Sequence, residues 1–298
     1  MSAMFLRSFT LPSGEREFEA LWRTPLDRMT IYGSRWPFGL FPERELETVA
    51  FAPITILAGG NGSGKSTLLR VIAARLSLLP EGERPGSPFF DAYVPLCTPG
   101  WEAAREAPPG SRMLSGEDVF AALAARRREN HAVAARREAL LEAYRRDQPS
   151  PSPDAVGFRL GSLSDADRLH AYNDAQRHTP SRYVRERLGA TETGCSNGEE
   201  ALSFLSDALR DDALYLLDEP ENCLSPAFQT ALAAHLADCA RFFGCQLVIA
   251  THSPILLALP GARVYDLDAR PARVCPWTEL EGVRTLAGFF AEHAGEFV

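Results

Sequence analysis

Short apolar runs alternate with stretches of helical spacing, and this alternation predicts an α/β chain. Ile54–Leu57, Ala213–Leu217 and Gln246–Ala250 have the length and the continuous apolar character of buried parallel strands. Apolar residues at helical intervals follow the first two runs, over Ser66–Leu79 and Pro226–Phe243. We therefore expect a sheet of buried strands that are connected by helices.

Weaker signals extend this pattern toward both ends of the chain. Residues 80–110 are dense in proline and glycine, which predicts a surface excursion rather than a packed element. The further elements that we expect are strands over Met4–Leu11, Met29–Tyr32, Val264–Leu267 and Arg273–Pro276, and helices over Glu199–Arg210 and Thr278–His293.

The segment 112–190 differs in composition from the rest of the chain and predicts a helical insertion. Asp118–Arg146 is rich in alanine, arginine and glutamate and contains no proline or glycine, as expected of a long helix. A proline-rich break at Pro149–Pro153 separates it from a second helical stretch, Leu163–His178. Two helices joined by such a turn favour an antiparallel hairpin, inserted into a single domain that spans residues 1–298.

Composition and charge are those of an ordinary globular protein. The 298 residues suffice for one large domain, with 45% hydrophobic and 23% charged residues. A net charge of -8 argues against a protein that coats DNA through its overall charge, although a local basic face stays open. The apolar runs are shorter than the ~20 residues that span a bilayer, and no secretory signal is evident. Six cysteines without a Cys-x-x-Cys pair indicate reduced thiols, so we expect a cytoplasmic protein.

A glycine-rich loop follows the first buried strand and predicts a phosphate-binding site. Its pattern, Gly-x₄-Gly-Lys-Ser, stands between a strand and a helix, the context in which such loops bind phosphates. Backbone N–H groups of the loop form an anion nest, and the helix N-terminus adds partial positive charge. Lys65 can reach the β and γ phosphates, Ser66 can ligate Mg²⁺ and Thr67 can bond the α phosphate. The residues expected to hold the nucleotide are Gly59, Gly60, Asn61, Gly62, Ser63, Gly64, Lys65, Ser66 and Thr67.

Two carboxylates follow the second buried strand and predict a catalytic edge of the sheet. Asp218 and Glu219 directly follow Leu214–Leu217, and ligands of open α/β sheets bind at the carboxyl ends of strands. Asp218 suits Mg²⁺ binding through water, and Glu219 suits the orientation and deprotonation of an attacking water. A strand-end turn with solvated acids is the simpler alternative, but it does not explain the accompanying phosphate loop.

A histidine and a serine–glycine turn complete the candidate chemistry. His252 follows the third strand and can hydrogen-bond a γ phosphate, whereas a lone histidine there is more often structural. Ser196 and Gly198 precede a predicted helix. Their residue types fit an N-cap and a second anion-binding site equally well. Because this turn has no role within its own subunit, we expect it to meet the γ phosphate bound by a second copy.

Taken together, these motifs resemble those of the ATP-binding cassette (ABC) superfamily. Tyr215-Leu-Leu-Asp-Glu-Pro-Glu221 and Ile249-Ala-Thr-His-Ser-Pro-Ile-Leu-Leu257 are similar to strings in stand-alone bacterial ATPases often labelled "AAA family ATPase", relatives of SMC-type and RecF-like head domains. The resemblance implies a P-loop NTPase fold of the ABC ATPase type, with a mixed sheet, helices and the inserted helical hairpin. The sequence differs from the family pattern in the turn at Ser196, which lacks the family's double glycine and glutamine. Weak dimerisation or slow turnover would be consistent with this difference.

The resemblance also assigns roles to particular residues. It implies catalytic roles for Lys65, Glu219 and His252. It implies that Ser196 and Gly198 act in trans on a partner's ATP, and that Ser66, Asp218 and Glu117 contact magnesium. Tyr32 and Trp36 are candidates for stacking on adenine.

The function implied by the resemblance is ATP hydrolysis by a head-to-tail homodimer with composite sites. It binds ATP and Mg²⁺ and couples turnover to an unknown protein partner or nucleic acid. Three alternatives stay open, namely a nucleotide-binding subunit of an ABC transporter, an ATPase regulator of a separate defence effector, and a small-molecule kinase. No nuclease constellation follows His252, so an effector activity would have to belong to another chain.

Overall fold

The computed structural model describes residues 4–23, 35–79, 87–102, 106–147, 197–222 and 224–297. The chain divides into two units, Met1–Phe120 together with Asn197–Val298, and Ala121–Ser196. The phosphate loop, the acids after Leu217 and His252 all belong to the first unit. Ser196, Tyr32 and the predicted segments Met29–Tyr32 and Leu163–His178 lie outside the described residues.

Strands and helices follow one another along the described residues, as the apolar pattern predicts. The strands are β1 Leu6–Thr10, β2 Thr48–Ala50, β3 Ile54–Ala58, β4 Thr98–Trp101, β5 Arg112–Ser115, β6 Leu214–Asp218, β7 Gln246–Ala250, β8 Arg263–Asp266 and β9 Arg273–Val274. The helices are α1 Gly14–Arg23, α2 Lys65–Arg75, α3 Pro88–Tyr93, α4 Gly116–Asp147, α5 Asn197–Ala208, α6 Pro226–Phe242, α7 Pro254–Leu257 and α8 Glu281–Glu292.

A six-stranded sheet carries the predicted chemistry. Its order is β5-β6-β7-β3-β8-β9, and all neighbouring strands are parallel except β8 and β9. Every residue of β3, β6 and β7 is buried, in agreement with the continuous apolar runs that predict them. The register pairs Asp218 with both Ser115 and Ala250, and Ala58 with Asp266. The carboxyl ends of five parallel strands therefore meet at one edge of the sheet.

A smaller antiparallel sheet, β2-β1-β4, is joined to the central sheet by buried side chains that include Gln246 and Tyr265. Gln246, the first residue of β7, accepts hydrogen bonds from the backbone N–H groups of Phe5 and Leu6 at 2.9 and 2.8 Å. Its side-chain amide donates to the carbonyl of Leu6 at 2.7 Å. A fully buried amide that is paired at both ends fixes the edge of β1 to the start of β7 without leaving a polar group unsatisfied.

The prediction of a surface excursion over residues 80–110 is wrong for residues 87–101. Residues 87–101 form α3 and β4, and the side chains of Phe89, Phe90 and Tyr93 are buried. Pro88 stands at the start of α3, where a proline favours a helix instead of interrupting it. The aromatic rings of Trp36 and Phe90 stack at 5.2 Å, so burial of aromatic surface outweighs the loop signal of the prolines and glycines.

The predicted insertion begins in the central sheet. Its first residues, Arg112–Ser115, form the edge strand β5, and the long helix α4 starts at Gly116. Ser115 and Asp118 form a reciprocal cap, in which Asp118 accepts from the Ser115 N–H at 2.7 Å and donates its own N–H to the Ser115 hydroxyl at 3.1 Å. This cap explains why the strand turns into a helix within one residue. No helix in the described part of the chain is long and apolar enough to cross a membrane.

Candidate functional site

The phosphate loop connects the end of β3 to the start of α2. Gly59 has a φ of +150°, and a Cβ there would lie only 2.7 Å from the Cβ of Ser63. Gly64, which precedes the first residue of α2, has a φ of +92° that other residues rarely adopt. Both positions therefore require glycine for the backbone to wrap tightly, as the predicted anion nest demands.

The side chain of Lys65 folds back over the loop. Its ammonium donates to the carbonyl oxygens of Gly59 at 2.6 Å and Gly60 at 3.0 Å, and lies 3.5 Å from the hydroxyl of Ser63. Lys65 is only 5% exposed, so its charge is held by loop dipoles instead of by water. The geometry places a desolvated cation at the centre of the anion nest.

Contacts from outside the loop fix its backbone. The N–H of Gly60 donates to the carboxylate of Asp268 at 2.6 Å, and Arg44 donates to the carbonyl of Gly62 at 3.0 Å and to that of Leu267. The side chain of Asp266 accepts from the N–H of Asp268 at 3.0 Å and so shapes the turn after β8. Sequence reasoning missed Asp268 and Arg44, because neither belongs to a motif and only the fold brings them to the loop.

Ser66 and Asp218 form a direct pair at the end of β6. The hydroxyl of Ser66 donates to the Asp218 carboxylate at 2.8 Å, although 152 positions separate them in the sequence. Burial raises the pKa of Asp218, and the hydrogen bond from Ser66 and the charges of Arg70 and Lys65 act in the opposite direction. A hydroxyl and a carboxylate side by side provide the hard oxygen ligands that Mg²⁺ prefers, so the pair fits that ion. The described residues contain no group of three or more His, Cys, Asp or Glu side chains that could hold a metal by themselves.

Glu219 and His252 face each other across the ends of β6 and β7. Glu219 adopts a left-handed φ of +48°, and its N–H donates to the carbonyl of Ala250 at 2.9 Å. One of its carboxylate oxygens accepts from the side-chain amide of Asn222 at 3.2 Å, and the other lies 3.7 Å from Nδ1 of His252. The His252 side chain is 58% exposed and that of Glu219 is 28% exposed, so both remain accessible from solvent. The sheet thus brings the predicted base and the predicted γ-phosphate ligand together.

Glu221 is a buried acid that sequence reasoning did not single out. One of its oxygens, Oε1, accepts from the hydroxyl of Thr251 at 2.5 Å and from the N–H groups of His252 at 3.1 Å and Ser253 at 3.3 Å. The residue is 4% exposed. The sequence shows Glu221 only as the last acid of the motif Asp-Glu-Pro-Glu. The motif does not indicate that this acid is buried.

The remaining predicted residues have different surroundings. Glu117 is exposed in the first turn of α4, and its role as a magnesium contact stays a prediction. Gly198 lies in the first turn of α5, where a Cβ would come within 2.5 Å of the Phe228 ring. The hydroxyl of Thr67 accepts from the indole N–H of Trp36 at 3.3 Å, which places that indole beside the phosphate loop. Because one face of the Trp36 ring stacks on Phe90, at most one face is free for a base.

A groove of about 640 Å³ runs from the phosphate loop toward the C-terminal helix. It is bounded by Gly59 and Gly60, by His252, by Asp268 and by the first half of α8. The loop, the histidine and the acid after β8 therefore border one continuous space.

Comparison with known proteins places the chain in a family. A profile described as "AAA domain, putative AbiEii toxin, Type IV TA system" matches residues 110–258, half of the chain. The chain belongs to this family of AAA domains. The matched region of the AAA domain contains Gly198, Asp218, Glu219 and His252, whereas the phosphate loop precedes it. A search of curated proteins finds no significant match.

Three solved structures match the chain at low sequence identity. The AAA domain is similar to "a putative metal-chelate type ABC transporter" in an inward-facing conformation, at 18% identity and a TM-score of 0.35, over 82% of this chain and 80% of that chain. It is also similar to a protein of Streptococcus thermophilus, at 13% identity and a TM-score of 0.37, over 74% of this chain and 71% of that one. A third is a "putative Cobalt transport ATP-binding protein", at 16% identity and a TM-score of 0.32, over 78% and 72%.

The predicted fold class is confirmed for this AAA domain. Its first unit is a P-loop NTPase α/β fold, with a parallel sheet, one antiparallel edge strand and a glycine loop between β3 and α2. The second helix of the predicted hairpin lies outside the described residues, so the hairpin stays a prediction.

Proposed function

We propose that this AAA domain binds ATP with Mg²⁺ and hydrolyses the ATP to ADP and phosphate. The observation that carries the proposal is that the Lys65 loop, the Ser66–Asp218 pair and the Glu219–His252 pair lie at one edge of the central sheet. Phosphoryl transfer to water needs a phosphate cradle, a metal site and a residue that positions water. The ends of β3, β6 and β7 carry side chains suited to all three tasks, which supports the proposal.

Binding begins at the phosphate loop. The Lys65 ammonium is held by the carbonyls of Gly59 and Gly60, and we expect the β and γ phosphate oxygens of ATP to take their place. Two neutral carbonyl dipoles would then be exchanged for charged oxygens, which form stronger hydrogen bonds with an ammonium group. Trp36, beside Thr67, would lie near the α phosphate and the nucleoside.

Ser66 and Asp218 would hold Mg²⁺, with Glu117 as a further predicted contact. When bound, the ion neutralises charge that develops on the β and γ phosphates. The hydroxyl of Ser66 has one donor and two lone pairs, so a lone pair could face the ion while the O–H still donates to Asp218. The buried Asp218 carboxylate would then gain a positive partner in addition to that donor.

Hydrolysis would use the pair at the ends of β6 and β7. Glu219 orients a water molecule and accepts its proton, while His252 donates a hydrogen bond to the γ phosphate. The water oxygen bonds to the γ phosphorus as the bond from that phosphorus to the β–γ bridging oxygen breaks. The products are ADP and inorganic phosphate.

We further propose that a second copy completes each site in a head-to-tail homodimer. Ser196 and Gly198 of one copy would cover the γ phosphate that the other copy binds. Gly198 lies in the first turn of α5, where backbone N–H groups have no partner within the helix and are suited to an anion. A two-fold arrangement repeats this contact and gives two equal sites.

Phosphate release from ATP by the purified protein tests the proposed function directly. Wild-type protein should release phosphate in a Mg²⁺-dependent reaction, and Lys65→Ala, purified in parallel, should not. The proposal would be contradicted if folded wild-type protein released no phosphate from ATP in a Mg²⁺-dependent way, alone or with candidate partners and nucleic acids added in turn.

A second candidate function is regulation of a separate effector in a defence or toxin system. It is favoured by the description of the matching family, which names a toxin and a toxin–antitoxin system. In that case ATP turnover would control another chain. Co-purification from the native cell, with and without Mg²⁺ and ATP, would distinguish an effector-bound protein from an ATPase that acts alone.

A further inference from the structure

We infer that Glu221 is a positioning residue, which fixes His252 relative to the base Glu219. The inference rests on the proposed function, because it assigns a role within the same hydrolytic site. It goes beyond that proposal because Glu221 reaches neither the phosphate loop nor Ser66 through any contact of the described residues. Its contacts lead instead to the turn that carries His252.

The turn after β6 carries two acids that differ in exposure. Glu219 has a φ of +48°, and its carboxylate remains 28% exposed near His252. The next two residues, Pro220 and Glu221, are buried. The chain therefore presents one acid to the site and places the other beneath the turn that follows β7.

The buried carboxylate holds that turn through three donors. Its Oε1 accepts from the hydroxyl of Thr251 and from the backbone N–H groups of His252 and Ser253. The N–H of Ser253 also donates to the hydroxyl of Thr251 at 3.0 Å, so hydroxyl and carboxylate act as one acceptor cluster. Because both bonded amides flank the Cα of His252, the carboxylate fixes the backbone from which the imidazole projects.

The imidazole itself lies between the two acids. Nδ1 of His252 is 3.6 Å from Oε1 of Glu221 and 3.7 Å from Oε1 of Glu219. These separations are too long for strong hydrogen bonds, so the backbone contacts carry the positioning. A shift of the turn would change both separations at once.

One oxygen of Glu221 argues for a role beyond packing. Its Oε2 is buried and has no hydrogen-bond partner within the described part of the chain. Burying a polar oxygen without a partner costs free energy, so such an atom calls for an explanation. An acid stands at a position where the amide of glutamine would fill nearly the same volume.

A second side chain ties the same turn to the segment after β6. The hydroxyl of Ser253 donates to the side-chain oxygen of Gln229 at 2.7 Å, and the Gln229 amide donates to the carbonyl of Leu224 at 3.0 Å. The His252 turn is therefore anchored on both sides to the chain that follows Glu219. Movement of that segment would be transmitted to His252.

The test compares Glu221→Gln, His252→Ala and their double variant, with the exposed Glu292→Gln as the matched control. Glu221→Gln should lower kcat about ten-fold, because the His252 turn loses its charged acceptor, while the Kd for ATP stays within about two-fold. If Glu221 acts through His252, the double variant should be no slower than His252→Ala alone. Glu292→Gln should match wild type.

Amide hydrogen exchange gives a readout that does not depend on hydrolysis. In Glu221→Gln the amides of His252 and Ser253 should exchange faster than in wild type, while amides in β3 keep their protection. A wild-type kcat in Glu221→Gln, or losses that multiply in the double variant, would overturn the inference. Wild-type protein that fails to hydrolyse ATP at all would overturn the proposed function instead, and unchanged exchange at His252 would still count separately against Glu221.

Discussion

The phosphate loop and the turns after β6 and β7 lie at the same edge of the sheet but are held in different ways. The loop is built from backbone: glycines set its path, its carbonyls hold Lys65, and Asp268 and Arg44 fix it from outside. The two turns are built from side chains, in which Glu219 faces solvent and Glu221 is buried under His252. A backbone cradle suits tight binding of phosphate, and adjustable acids suit proton transfer.

This difference predicts separate roles for the two regions, and mutations can test them. Changes in the loop should weaken ATP binding, whereas changes in the turns should slow hydrolysis of ATP that is still bound. The ratio of the effects on Kd and kcat therefore reports which region a residue serves.

The largest effect is expected at Glu219. Glu219→Gln removes the group that accepts the proton of water but keeps its size, so kcat should fall by roughly 10²–10⁴-fold. ATP should still bind, and the ATP-bound dimer should accumulate because hydrolysis no longer opens it. Phosphate release and light scattering with ATP measure the two results.

Two outcomes at Glu219 would contradict this assignment. Hydrolysis of ATP by Glu219→Gln at the wild-type rate would show that the base lies elsewhere. Equal monomer fractions with and without ATP would count against the head-to-tail dimer. Glu292→Gln, an exposed acid on α8, serves as the control.

The next largest effect is expected at Lys65. Lys65→Ala removes the buried ammonium at the centre of the nest, and the affinity for ATP should fall by about 100-fold, or about 2.7 kcal/mol. Titration calorimetry measures the change, with the exposed Arg284→Ala as the control for loss of positive charge. Ordinary ATP affinity in the folded Lys65→Ala variant would remove the basis for the cradle.

An intermediate effect is expected at Asp218. Asp218→Asn should weaken Mg²⁺ binding in the presence of ATP by about ten-fold, because the ion loses a charged ligand. The same variant should stabilise the nucleotide-free protein. Burial raises the Asp218 pKa above its ordinary value of 3.8, so the folded state binds a proton more readily than the unfolded state. Stability from this group is therefore lost as pH rises from about that value through the raised pKa.

Thermal unfolding across that pH range checks the sign. The wild type should lose stability with rising pH relative to Asp218→Asn, and Asp91→Asn, an exposed acid on α3, should follow the wild type. A wild-type protein that gains stability relative to Asp218→Asn as pH rises would show that the ionised carboxylate is well solvated or paired.

The smallest effect is expected at Asp268. Asp268→Ala removes the acceptor of the Gly60 N–H, so ATP affinity should fall about two- to five-fold, in line with one hydrogen bond of about 0.5–1 kcal/mol. Asp268→Asn keeps an acceptor and removes a negative charge beside the phosphate site, so it should bind ATP at least as tightly as wild type. Weaker binding by Asp268→Asn than by Asp268→Ala would contradict the role of the hydrogen bond.

The two regions also differ in how well sequence predicts them. The glycine loop and the acids at strand ends are local patterns, and their meeting follows from parallel strands that share one edge. The contacts of Asp268 and Glu221 connect residues 208 and about 30 positions apart, and no local pattern indicates them. The packed helix α3 was missed for a related reason, since the partners of Phe90 and Tyr93 are aromatic rings from residues 36–41.

The central claim is that the Lys65 ammonium moves from the loop carbonyls to the β and γ phosphates of ATP. Lys65 is the only lysine in the chain, so protein labelled with ¹³C-lysine gives one set of lysine side-chain signals in an NMR spectrum. The chemical shift of the ε-methylene should change as ATP and Mg²⁺ are added, until the site is saturated. It should not change with AMP, which lacks the β and γ phosphates. A signal that ignores saturating ATP, or that responds equally to AMP, would contradict the central claim.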